Sequence, residues 1–222
     1  MAFTKLRLEH CDFTYEGLFA QPMFTLTDAP GRLADALLDI LGPLGCSGPD
    51  LEIEDEGFAS RGVTCEIGEL DATVSLYGDR AELHCGDFRV DSHDGISEVL
   101  NNLWPRINTL AGHAVPKTIS FRFDFDSQII DGTYQQVLSR LAPPPSALPT
   151  GTESAVVYYM PPDPRLGSCD SSLVLNRSEI VDRGLQLSGT LVYEGTPEKP
   201  ATLAEAMNRL GDLMRMLGLE WS

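Results

Sequence analysis

Apolar residues recur along this chain with two periods, two and about 3.6, and the switches between them mark its elements. Lys5 to Phe13 opens with alternation: Leu6 and Leu8 take one face, Arg7 and Glu9 the other, which predicts a half-buried strand. The period then lengthens. Leu33, Leu37, Ile40, Leu41 and Leu44 fall at helical spacing, with Arg32, Asp35 and Asp39 on the wet side. Asp28 offers a cap ahead of that helix, and Pro30 stands just inside its start. The punctuation residues of "GPLGCSGP" end it. Alternation returns in "DLEIEDE", where Leu51 and Ile53 point inward and Glu52 and Glu54 outward, and in "GVTCEIG", with Val63, Cys65 and Ile67 on one face. "DATVSLYGDRAELHCGDF" reads as a hairpin turning at Gly78-Asp79. A helix follows from Asp94, bearing Ile96, Val99, Leu100, Leu103, Ile107 and Leu110, and Pro105 predicts a kink or an early break in it.

The second half repeats this order. "TISFRFDFD" alternates strictly, with Ile119, Phe121, Phe123 and Phe125 inward and Ser120, Arg122, Asp124 and Asp126 outward. Asp131 or Thr133 caps a short helix carrying Tyr134, Val137, Leu138 and Leu141. The Pro-rich loop "APPPSALPTG" leads to the strand "SAVVYYM", and "SSLVLNRSEI" pairs with "LQLSGTLVYEG" around Asp182 to Gly184. Thr202 and Glu205 form a capping box for a last helix built on Leu203, Ala206, Met207, Leu210, Met214 and Leu217, with Gly218 at its C-terminal end.

The two closing helices also resemble each other. "ISEVLNNL" (Ile96 to Leu103) and "LAEAMNRL" (Leu203 to Leu210) share Glu98/Glu205, Asn101/Asn208 and Leu103/Leu210. The expected fold is therefore α+β: two similar β-α-β-β-β-α units, a tandem duplication, each a mostly antiparallel sheet covered on one face by helices. The boundary falls near Ala111 to Lys117, giving an N-terminal unit at 1–115 and a C-terminal unit at 116–222 packed tightly on it.

Composition narrows the function. At 42% hydrophobic residues the chain is able to bury a core, and no apolar run approaches the roughly 20 residues of a membrane span. The N-terminus lacks a basic segment followed by an apolar one, so no signal peptide is read and the cytoplasm is the expected compartment. Net charge is -17 and uneven: residues 1–115 hold 20 acidic and 7 basic side chains, residues 116–222 hold 13 and 9. No basic stripe is present, which disfavours direct nucleic-acid binding. Such a field attracts a basic protein surface instead, or simply keeps the chain soluble. The five cysteines form no C-x-x-C, so neither a disulfide framework nor a structural zinc site is expected; small buried hydrophobes are the better reading.

Three polar features carry candidate chemistry. The densest acidic run is Glu52, Glu54, Asp55 and Glu56, which reads as a docking patch for a partner's arginines and lysines or as a charged strand edge that resists aggregation. Asp124 and Asp126 share one strand face and have oxygen ligands for a divalent cation. Asp124-Phe125-Asp126, followed by a helix, resembles the metal-binding palm of nucleotidyl cyclases and polymerases over the stretch Asp124 to Asp131; the resemblance implies a cation held there with a further acid from the next hairpin, for which Glu179 and Asp182 are poor substitutes, and the better reading is a solvated polar strand face opposite the four core residues. Neither glycine-rich phosphate motif accompanies it. The third feature is a set of isolated reactive types. Asp91, His93 and Asp94 read as helix caps, and Cys169 reads as the most exposed thiol, with Arg165 as its local cation. Trp221 either folds back on the body or is offered to a partner.

No catalytic constellation is complete and no cofactor motif is found, so catalytic, metal and cofactor residues are all left unassigned. The expected function is a non-enzymatic interaction protein, such as an accessory subunit, inhibitor or immunity-type protein. It would engage a basic partner through Glu52, Glu54, Asp55, Glu56, Asp124 and Asp126. The alternative is an enzyme or ligand-binding protein with its site between the halves, around Asp124 and Asp126.

Overall fold

Each periodic segment becomes an element of the expected type. The computed structural model describes residues 3–23, 30–55, 61–89, 92–111, 116–143, 155–161, 169–194 and 201–222. In chain order the elements are β1 (Thr4–Phe19), α1 (Pro30–Leu41), β2 (Leu51–Asp55), β3 (Arg61–Ile67), β4 (Ala72–Tyr77), β5 (Arg80–Cys85), α2 (His93–Ala111), β6 (Pro116–Ile129), α3 (Tyr134–Leu141), β7 (Val156–Met160), β8 (Cys169–Arg177), β9 (Leu185–Glu194), α4 (Leu203–Met216) and β10 (Leu219–Trp221). The fold is α+β. Among the described residues the strands form one open, mostly antiparallel sheet in the order β2-β3-β4-β5-β1-β6-β9-β8-β7, with β10 pairing β1 in parallel, and four helices.

The chain divides into two compact units, each drawn from separated segments. Unit I comprises Met1–Asp12, Arg122–Leu191 and Glu205–Ser222; unit II comprises Phe13–Phe121 and Val192–Ala204. Strands β1, β6 and β9 and helix α4 each have residues in both.

In unit II the inward residues Phe13, Tyr15, Val63, Cys65, Val74, Leu76, Leu83 and Cys85 are all buried, as are Leu33, Leu37 and Leu41 of α1 and Ile96, Leu103 and Ile107 of α2. Helix α1 packs on β3 and on α2. Trp104 of α2 donates its indole N–H to the Tyr15 hydroxyl, and burial pushes that phenol's pKa upward. Gly17 makes room for this contact: a Cβ there would overlap the Trp104 ring. Helix α2 continues through Pro105 instead of breaking. The carbonyl that proline leaves without its helical donor belongs to Asn101, which is exposed, as is Pro105, so water is at hand for it.

In unit I, α4 lies over β9 at Gly189, where a Cβ would come within 2.8 Å of Leu210. Helix α3 opens with a Thr133–Gln136 capping box, and Arg140 in its last turn donates to the Leu217 carbonyl and to Thr4 Oγ1, both at 3.2 Å. Gly218 ends α4 with φ +69°, and its carbonyl accepts the Thr4 N–H at 2.8 Å. That reversal lays β10 beside β1, and Trp221 folds back so that its ring lies 5.1 Å from Phe125.

Two further expectations are corrected. Leu8 does not join Leu6 inside: it is 40% exposed, and the buried positions of β1 change from Leu6 to Cys11, Phe13 and Tyr15. That change of phase is what one extra residue in a strand produces. Cys169 is buried, not exposed, so it is no accessible thiol. The cap read at Asp28, the residues Asp91 and Arg165, and most of the boundary read at Ala111 to Lys117 lie outside the described residues. No described helix is long and apolar enough to cross a membrane.

Candidate functional site

Alternation in β1 and β3 to β5 sends one set of side chains into the core of unit II and the other set out; in the edge strand β2 the set expected inward is not enclosed, since Leu51 is half-buried and Ile53 is 55% exposed. Pairing then aligns the outward set in rows. One row reads Glu52, Thr64, Ser75, Glu82, Glu16, each opposite the next across adjacent strands. The row beside it reads Glu66, Thr73, His84, Thr14. On the other side stand Glu54, Gly62 and Tyr77, with Arg80 opposite Leu18. These rows carry five glutamates and one arginine.

The hydroxyls between the carboxylates tie part of this face together. Thr64 donates to Glu54 at 3.0 Å, and Thr64 Oγ1 lies 3.0 Å from Ser75 Oγ. Tyr77 donates to the same Glu54 carboxylate at 3.2 Å. Gly62 permits that reach: a Cβ there would meet the Tyr77 ring at 2.5 Å and the Leu76 carbonyl at 2.7 Å. The Arg80 guanidinium covers the Tyr77 ring, 4.1 Å from its centroid. Glu54 is thus half-buried and occupied, whereas Glu52 and Glu66 are open to water.

Glu16 and Glu82 are directly opposed like charges, an arrangement that destabilises a strand pair. Arg80 moderates it by donating to Glu82 at 2.5 Å and to Asp79 at 3.0 Å. Partial burial pushes the Glu16 pKa up, Glu82 adds to the rise, and Arg80 offsets some of it. Burial works to lower the Arg80 pKa, but its hydrogen bond to Glu82 and the charges of Glu82 and Asp79 outweigh that and raise it.

The two aspartates of β6 have a different setting, in unit I. Asp126 is buried and accepts the Ser178 hydroxyl at 2.6 Å. That hydroxyl oxygen in turn accepts the N–H groups of Val181 at 2.8 Å and Ile180 at 3.2 Å. The carboxylate therefore fixes the turn from β8 to β9. Gly184 completes the turn, because a Cβ on it would meet the Ser127 carbonyl at 2.8 Å. Asp124 accepts from Ser188 of β9 and from Arg122 at 2.7 Å. Among the described residues, no group of three or more histidines, cysteines and carboxylates is placed to hold a metal. An open cavity of about 720 Å³ beside this turn is lined by Arg7, Glu9, His10, Asp182 and Arg183 among others, but not by Asp124 or Asp126. Arg7 of that lining is already bonded to Glu9 and Gln128.

Of the residues read as a docking patch, Glu52 and Glu54 share one sheet face, Asp55 closes β2 with its side chain outside the described set, and Glu56 lies outside it altogether. Asp124 and Asp126 share a face of β6 but are both engaged by serines. Sequence reasoning missed Glu16, Glu66, Asp79 and Glu82. The alternation of "FTYEGLF" and "RAELHC" holds the signal that Glu16 and Glu82 point outward, but nothing in it sets one opposite the other. Compared with known proteins, the sequence matches no family model and no curated protein.

Proposed function

We propose that this chain is a non-enzymatic interaction protein, of the accessory-subunit, inhibitor or immunity type, which engages a basic protein surface through the outward face of β1 to β5. The supporting observation is the row Glu52, Thr64, Ser75, Glu82, Glu16, which keeps two carboxylates opposed and partly desolvated where a neutral pair would be more stable. An incoming arginine or lysine relieves that repulsion, so the face gains on binding what it gives up when free. Glu52 and Glu66 supply the exposed charge, and Glu54 is held in place by Thr64 and Tyr77. Asp124 and Asp126 have no part in the contact, since both hold serine hydroxyls of their own unit.

The same proposal takes residues 1–115 and 116–222 as copies of one duplicated unit. Its support is the strand order. Outward from β1 come β5, β4, β3 and β2; outward from β6 come β9, β8 and β7. In each half the opening strand lies beside the strand that precedes the closing helix, β5 in the first and β9 in the second. Residence in the cytoplasm is also part of the reading, consistent with five cysteines that are all free thiols.

The test is capture from extract of the native cell, with the full chain immobilised at about 50 mM and about 500 mM salt. A basic protein should be retained at the lower salt and released at the higher. Glu52→Lys with Glu66→Lys should abolish retention while leaving the melting temperature within about 2 °C, since both side chains are exposed. Retention that survives both the salt and the charge reversal overturns the proposal.

A further inference from the structure

The Cys46 and Cys65 sulfurs lie 3.2 Å apart, closer than an ordinary sulfur–sulfur contact, in the interior of unit II. The other three thiols instead approach oxygen: Cys11 the Asp12 carbonyl, Cys85 the Leu70 carbonyl and Cys169 the Ser171 hydroxyl. Both members of the pair are held in place. Cys65 sits in the middle of β3, opposite Leu51 on one side and Val74 on the other. Cys46 follows the left-handed Gly45 (φ +87°) that ends the one-turn helix after α1, donates its backbone N–H to the Leu41 carbonyl at 3.3 Å, and has its sulfur 3.1 Å from the Glu66 carbonyl.

We propose that Cys46 and Cys65 are an oxidation site that takes a peroxide and closes to an intramolecular disulfide. A disulfide has its sulfurs about 2.05 Å apart, so closure asks each to move roughly 0.6 Å. Cys46 is 9% exposed and Cys65 is fully buried, so the peroxide meets Cys46 first. The Cys46 sulfur attacks one peroxide oxygen, the O–O bond breaks, and a sulfenic acid and one water result. The Cys65 sulfur then attacks the sulfenic sulfur. The S–O bond breaks, and the departing hydroxide takes the Cys65 proton away as a second water. In sum, two thiols and one hydrogen peroxide give one disulfide and two waters, each sulfur losing one electron. The order agrees with the state of Cys65, whose pKa is pushed up to about 12 by burial and by its contact with Cys46, which makes it a poor first nucleophile.

The pair is 19 positions apart, and the chain between them contains β2, an edge strand of the sheet and the carrier of Glu52 and Glu54. The bond thus encloses the acidic edge in a covalent ring. By the chain-entropy relation for a loop of that length, oxidation should raise the melting temperature by about 5–10 °C.

The experiment treats the reduced full-length protein with about a tenfold excess of hydrogen peroxide, blocks the remaining thiols, and maps peptides without reduction. The expected result is one linked peptide joining Cys46 to Cys65, loss of two of the five thiols, the rise in melting temperature, and reversal of all three by dithiothreitol. In the Cys65→Ser variant a sulfenic-acid trap should label Cys46. Retention of all five thiols overturns the proposal, as does over-oxidation of Cys46 without a linked peptide, or linkage of any other pair. The wild-type map decides the matter even if the variant fails to fold.

Discussion

The part of β6 that lies in unit I, and β5 with the part of β1 that lies in unit II, each put carboxylates on the strand side opposite their inward residues, yet the outcomes are opposite. Asp126 meets the Ser178 hydroxyl and Asp124 meets that of Ser188, so each charge ends in a short hydrogen bond and secures a neighbouring turn or strand. Glu16 meets Glu82, and only Arg80 relieves the pair. Position on the face is the same; what lies opposite decides whether a carboxylate stabilises the sheet or strains it. A face that stabilises itself has little left to offer a partner, whereas a strained one gains from a partner's cations.

The sharpest way to break this comparison is to remove Asp126. Asp126→Ala leaves the Ser178 hydroxyl without its acceptor and frees the turn that Ser178 organises, so unfolding free energy should fall by about 1.5–3 kcal/mol, the range for a hydrogen bond to a charged group. Urea denaturation followed by far-ultraviolet circular dichroism reads this directly. A loss under about 0.5 kcal/mol would mean that Asp126 is not a staple and that the two faces differ less than their geometry implies.

Gly62→Ala comes next in size. Its Cβ would press on the Tyr77 ring and on the Leu76 carbonyl, and an overpacked site of this kind costs about 1–3 kcal/mol. It would also push the Tyr77 hydroxyl away from Glu54. Among the described residues, Glu54 is the glutamate of unit II that behaves like the aspartates of unit I, held by hydroxyls on two sides. If Gly62→Ala unfolds at the wild-type urea midpoint, the Tyr77 ring has room to shift and Glu54 needs no such support.

A smaller effect separates pairing from mere proximity. A double-mutant cycle on Asp124→Ala and Ser188→Ala should return a coupling of about 1 kcal/mol, the usual net value of one hydrogen bond. Coupling near zero would place Asp124 with the solvated carboxylates.

The sequence showed much of this architecture and little of this contrast, for a local reason. Alternation is a property of one strand, so Ile119, Phe121, Phe123 and Phe125 could be placed inward, and all four are buried. The same alternation put Asp124 and Asp126 outward, but "outward" became "exposed" only by assumption. The hydroxyl that covers Asp126 lies 52 positions away, and that separation depends on register and turn geometry, which no periodicity encodes. The opposition of Glu16 and Glu82 was hidden in the same way. Leu8 failed differently: its strand was read correctly, but the buried positions change phase between Leu6 and Cys11, and such a change leaves no mark on a short alternating run. Strand β10 has only three residues, too few for a period to show.

The smallest effect tests the strained pair itself, through pH. Partial burial and the facing Glu82 hold the Glu16 pKa above its ordinary 4.5, so folding favours its protonated form. The stability linked to Glu16 is then fully present below pH 4.5 and is lost as pH rises through the folded-state value. Glu16→Gln is neutral at every pH and does not incur that loss. Compared with wild type, the variant should match it in acid and exceed it above the Glu16 titration, with a margin that grows across that window and then levels off. Because Glu16 is half-open to solvent, screening limits the margin to a few tenths of a kcal/mol, about 1 °C in melting temperature for a chain of this size. The same substitution in a Glu82→Gln background should give a smaller margin, since the repulsion has already been removed. A variant less stable than wild type at neutral pH, or a difference that is flat with pH, would show that Glu16 is not under strain. The argument that this face waits for a partner's positive charge would then lose its energetic basis.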